Sequence, residues 1–307
     1  MKGSRDKPVP GTPREYVKLY TACWDEDPAK RPLAKEVYQI LTYMYEQLAL
    51  EEHLVADETM NIINTGLKKG DDVFPSASLI RHWLYQRNFN DVDALEILTA
   101  HNNCSVCCLL VGFFHHYGIG TPRNYARAYN WYLHAFDQGN QLAAYWLGIC
   151  YRYGYGIEED TSKAVRFFQQ AASQGCTAAR FHLAVCYDFG EGIQNDFVKA
   201  GEYYQLAAAQ GHVNAQNNLA VFYKNGYGVK KNMKKAVEFF QQAANQGYDR
   251  AQYNLGVCYE YGFEVERSII KAIELYRLAA NQGNEKAQTK LTSFNSRRSS
   301  TSMGYYG

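Results

Sequence analysis

Nowhere does this 307-residue sequence stay apolar for the ~20 residues that a membrane-spanning helix needs. Its best run, Val106 to Phe114, is far too short. Neither sign of charge prevails: 32 basic residues face 31 acidic ones, for a net charge of +1. That balance removes the electrostatic footprint expected of a nucleic-acid or anionic-membrane ligand. The opening residues are polar and contain proline where a secretory leader would carry an apolar core, so a cytoplasmic protein is expected. Cysteine is present but poorly arranged for a metal. Cys104, Cys107 and Cys108 form a C-x2-C-C cluster that could supply half a zinc site, yet no second C-x2-C exists. His115, His116 and His134 lie near one another with no acid or nucleophile at a defined spacing, so structural histidines are expected. No catalytic, cofactor-binding or metal-ligating constellation emerges, and nothing bears on oligomeric state.

What the sequence has in quantity is repetition. Sliding it by 36 residues aligns Gly139, Gly175, Gly211, Gly247 and Gly283, with no insertions across five copies. Such a period is the signature of a stacked repeat array. Within each copy, Ala143, Ala179, Ala215, Ala251 and Ala287 are followed one helical turn later by Leu147, Leu183, Leu219, Leu255 and Leu291. Tyr151, Tyr187, Tyr223 and Tyr259 extend that stripe, and Gly118, Gly154, Gly190, Gly226 and Gly262 close the first helix. A second helix opens at Asn124, Asp160, Asp196, Asn232 or Ser268, all favoured N-caps. It carries Ala128, Ala164, Ala200, Ala236 and Ala272. Rings follow at Tyr132, Phe168, Tyr204, Phe240 and Tyr276, where small residues facing rings allow close helix approach. Cys150, Cys186 and Cys258 share a register with Phe114 and Phe222, which marks an apolar pocket for buried thiols.

These positions resemble the Sel-1-like repeat, a relative of the tetratricopeptide repeat, over about residues 104 to 292. The resemblance implies an all-α, right-handed α-solenoid of helical hairpins whose curved inner surface holds other proteins. Five repeats are expected over 104–283, with a partial sixth over 284–292 supplying one capping helix. Two departures stand out. Glu264 replaces the second glycine of its loop, which predicts another loop shape there. In the first copy Val111, His115 and Phe136 replace the usual Leu, Tyr and Ala, as expected of a terminal copy meeting something other than a repeat. No repeat carries the cysteine pair that staples the secreted branch of the family, which disfavours a secreted repeat hydrolase.

The flanks read differently. Residues 1–49 contain Cys23, Trp24, Asp27, Pro28, Arg31 and Pro32 in the CW-x2-DP-x2-RP order, and resemble the end of a tyrosine-kinase-like C-lobe. A kinase also needs a glycine-rich loop, a strand lysine, an HRD aspartate and a DFG aspartate, and none of these motifs occurs. Phosphate transfer by this chain is therefore not expected, and the fragment is expected to be helical but loosely held. Residues 50–103 lack the repeat and suggest short helices that cap the first copy, the alternative being a linker. The Ser- and Arg-rich residues 293–307 are expected to be disordered, with Ser300 a candidate phosphosite behind Arg297 and Arg298.

A binding surface is expected on the side of the first helices turned away from the alanine and leucine stripe. There the residue varies from copy to copy: Tyr145, Phe181, Asn217 and Tyr253 in one register, Arg152, Asp188, Lys224 and Glu260 in another. The second series alternates in sign, so it reads either as an intramolecular ladder or as a surface for a charged partner. The expected function is a non-catalytic adaptor in intracellular signalling that binds proteins and neither nucleic acid nor membrane. The alternative is the C-terminal part of a kinase–solenoid fusion.

Overall fold

The computed structural model describes residue 18 and residues 55–70, 74–87 and 89–302. The chain divides into two compact units, Met1–Val55 and Ala56–Gly307. The first lies almost wholly outside the described residues, and with it the kinase-like motif of residues 1–49.

Among its described residues the second unit contains helices and connecting loops and no strand. It begins with α1, helical over 55–69, then α2 (Phe74–Gln86) and α3 (Asp91–Ala100). The repeats follow as α4 (Ser105–Tyr117), α5 (Tyr125–Asp137), α6 (Gln141–Tyr153), α7 (Thr161–Ser173), α8 (Thr177–Phe189) and α9 (Phe197–Ala209). They continue as α10 (Val213–Asn225), α11 (Met233–Asn245), α12 (Asp249–Tyr261) and α13 (Ile269–Asn281), and the array closes with α14 (Glu285–Ser302). From α2 onward each helix packs on its neighbours in sequence, so contacts run along the chain and the core is linear.

Local chemistry sets the hairpin. The side chains of Asn124, Asp160, Asp196, Asn232 and Ser268 each accept from the backbone N–H three residues on, which satisfies an orphan amide of the first turn. The N–H of the same residue closes the loop onto the first helix, as in Asp160 to the Tyr151 carbonyl at 2.9 Å. The alanine, leucine and ring registers are buried. A Cβ at Gly148 would stand 2.6 Å from the Phe168 ring, so glycine lets that ring lie flat on the first helix.

Units are locked by a second glycine register. A Cβ at Gly156 would meet the Tyr125 carbonyl at 2.2 Å, at Gly192 the Thr161 carbonyl at 2.3 Å, and at Gly228 the Phe197 carbonyl at 2.0 Å. Each loop thus seats on the first residue of the preceding unit's second helix. Glu264 keeps the left-handed backbone of its register, with φ 55°, against the expectation of a different shape. The neighbouring unit holds the loop there at the cost of an unfavourable φ for a side chain.

The same geometry reaches upstream of the repeats. The Cβ position of Gly120 lies 2.1 Å from the Asp91 carbonyl, so α3 stands where a preceding second helix would. Arg81 donates to the Gly118 carbonyl at 2.7 Å and pairs with Asp91 at 3.4 Å. At the far end α14 lays Ala287, Leu291 and Phe294 against Tyr276 and Ala279. This helix continues to Ser302, through most of the tail expected to be disordered, and Ser300 falls within it.

Candidate partner-binding site

The first helices of four successive units line one cavity of about 400 Å³. Trp146, wholly buried, is its floor, with Tyr132 stacked beneath at 5.5 Å and His116 edge-on at 5.8 Å. Phe181 stacks on His212 at 4.5 Å, and His182 on Phe168 at 5.2 Å. Burial pushes the His116 and His212 imidazoles down to about 4, and His182 down to about 3. Arg152 donates to His182 Nδ1 at 2.9 Å. Arginine can only donate, so that nitrogen is the acceptor and the proton sits on Nε2. At neutral pH the wall therefore offers rings and neutral imidazoles.

Further along the array the same face turns polar. The register of Trp146 and His182 continues as Asn218, Asn254 and Lys290. Asn254 donates to Asn217, Asn217 to Asn218, and Asn218 to the Tyr204 hydroxyl, at 3.0, 3.3 and 3.1 Å. Asn217, Arg250, Tyr253 and Asn254 line a second cavity of about 530 Å³ with Lys286.

The predicted residues divide between these places. Tyr145 and Phe181 share the aromatic cavity, Asn217 and Tyr253 share the amide-lined one, and Arg152 joins Phe181 in a third. Tyr145 is 2% exposed and Asn217 5%, so they form the wall's substance more than its surface. A helix of this array packs on both neighbours at once, and a single apolar stripe underestimates how much of it is covered. Asp188, Lys224 and Glu260 line none of the three cavities.

The four charged positions do not bridge one another as a ladder. Arg152 pairs with Glu191 at 2.6 Å, and Glu260 with Lys290 at 2.8 Å. Each acid is tied instead to its own unit's ring: Tyr204 donates to Asp188 at 3.0 Å and Tyr276 to Glu260 at 2.6 Å. Burial raises the Asp188 carboxyl. Burial also acts upward on Glu260, but the Lys290 and Tyr276 hydrogen bonds outweigh it and hold the carboxyl below its usual range. The ring register lies only 16 residues from the acid, and that spacing was available in the sequence as a partner.

The cysteines form structure. Cys150, Cys186 and Cys258 are buried, and burial pushes their thiols up to about 12, 11 and 11. The Cys104 sulfur accepts the Cys107 N–H at 3.5 Å as a weak N-cap of α4. Among the described residues no group of three or more His, Cys, Asp or Glu could hold a metal ion, and no helix is long and apolar enough to cross a membrane.

The Sel1 repeat family model matches residues 105–140, 141–176, 177–212, 213–248 and 249–284, more than half of the chain. It reaches neither residues 1–49 nor their kinase-like motif. A Sel1 repeat protein of Oxalobacter formigenes is similar at 29% identity over 69% of this chain and 85% of its own, with a TM-score of 0.63. The protective antigen c5321 of uropathogenic Escherichia coli, described as displaying an SLR fold, shares the fold at 24% identity and a TM-score of 0.61. That alignment covers 92% of this chain and 64% of the antigen. No curated protein matches.

Proposed function

Because the chain belongs to the Sel1 repeat family, whose members generally act as protein-interaction scaffolds, we propose that it is a non-catalytic scaffold binding proteins on the inner face of its first helices. The observation that carries this reading is the change of chemistry along one continuous face. Rings and neutral histidines with Arg123 line the cavity of α4 to α8, and amides with both signs of charge, Asp249, Arg250, Glu285 and Lys286, line that of α10 to α14. A framework held constant by buried alanines, leucines and glycines, with a graded wall on one side only, suits the recognition of an extended polypeptide. The site for it runs through Phe181, Asn217 and Tyr253, while Asp188 and Glu260 brace the units.

Capture of binding proteins by the intact chain tests the assignment. Arg250→Glu combined with Tyr253→Ala is expected to lose them, whereas Leu206→Asp on the exposed side of α9 retains them. Equal retention by both, with unchanged melting, overturns the choice of face. A role in signalling rests on the resemblance of residues 1–49 alone. A native polypeptide much heavier than 35.0 kDa and carrying a kinase lobe would place the same scaffold in a fusion.

A further inference from the structure

The wall of first helices already holds something, and it is a piece of the same chain. The last turn of α1 reaches it across more than a hundred residues of sequence: Asn214 Nδ2 donates to the Gly70 carbonyl at 3.0 Å. Gly70 lies so close to His212 that a Cβ would stand 2.7 Å from the imidazole, and its φ of 79° is left-handed. Ile63, Gly66 and Leu67 form the buried stripe of this helix, while Asn64, Thr65, Lys68 and Lys69 are exposed. Leu67 and Gly70 border the aromatic cavity beside Trp146, Phe181 and His182.

We propose that residues 56–70 are a displaceable internal ligand of this groove, and that partners compete by presenting a similar amphipathic helix ending in glycine. The proposal rests on the scaffold reading and adds what the site recognises. Three features of the structure support it. The stripe Ile63, Leu67, Gly70 has the spacing of a helix laid into a groove. The glycine is demanded twice, by its backbone angle and by contact with His212, so the wall selects for it. The fit is also incomplete, because an open cleft of about 400 Å³ lined by Leu67 and the rings remains. A fuller side chain on a competing helix would bury more apolar surface there.

The probe is a fluorescent peptide of residues 56–70 titrated into the full chain. The wild type is expected to bind it weakly, since the site is filled. Gly70→Val and, independently, Leu67→Asp empty the site and are expected to bind it about tenfold more tightly, as holds when roughly a tenth of the wild type is open. Adding Phe181→Ala to Gly70→Val removes the gain. Release variants that melt normally yet bind no more tightly overturn the proposal. A measurement without any substitution backs this up: saturating unlabelled peptide is expected to speed amide exchange of residues 56–69 in the wild type, and unchanged exchange overturns the proposal too. If captured proteins are lost from the Arg250→Glu, Tyr253→Ala chain while neither peptide result appears, the scaffold stands and only the internal ligand falls.

Discussion

Two glycines of adjacent units look alike in the sequence and differ in what they do. Gly175 has φ 92° and open space around its missing side chain, so Gly175→Ala carries only the left-handed penalty of about 1–2 kcal/mol. Gly192 has φ 69° and sits against the Thr161 carbonyl, so alanine there must also push the units apart. Gly192→Ala is expected to cost about 3 kcal/mol or more, in the range of mutations that strain packed backbone, and paired urea melts of the two variants check the order. The histidines make a second residue-level prediction. His116, His182 and His212 have pKa values lowered by burial to about 4, 3 and 4, below the ordinary 6.5. The unfolded chain therefore binds more protons in that window, and stability falls as pH drops from about 6.5 towards 4. Urea midpoints measured from pH 7.5 to 4.5 should decline, and the decline should be shallower in His182→Gln. A midpoint that rises on acidification contradicts the buried, neutral assignment.

At the level of the helix, start signals were the most legible feature of the sequence. All five expected caps, from Asn124 to Ser268, accept the amide assigned to them, because a cap depends on residues three positions apart and on little else. Asn232→Ala is expected to cost about 1 kcal/mol, read as a shift of the urea midpoint with an unchanged slope. The stacking registers were equally legible, since the alanine, leucine and ring positions recur in phase and are buried. Less legible was everything that depends on the neighbouring unit. Tyr145 and Asn217 were placed on an open face and are covered, because the far side of a first helix also meets the next copy and the cavity wall. Arg152 and Glu260 found Glu191 and Lys290, 39 and 30 residues away, offsets that a search at the period of 36 passes over. Glu264 kept its φ because the preceding helix, and not its own side chain, shapes the loop.

Over the whole second unit, the architecture follows from hairpins that cannot cover themselves and are covered by their neighbours. That requirement explains why α3 mimics a missing second helix upstream and why α14 persists past the last alanine and leucine of the repeat. Helix α1 carries no trace of the 36-residue period, and its contact with Asn214, 144 residues from Gly70, was not legible in the sequence. Binding is proposed on the first helices. It is tested most directly by amide exchange on the complex with a captured binding protein, comparing free and bound chains. Protection is expected over 141–153, 177–189, 213–225 and 249–261, with 161–173, 197–209 and 233–245 unchanged. Protection confined to those second helices would contradict it.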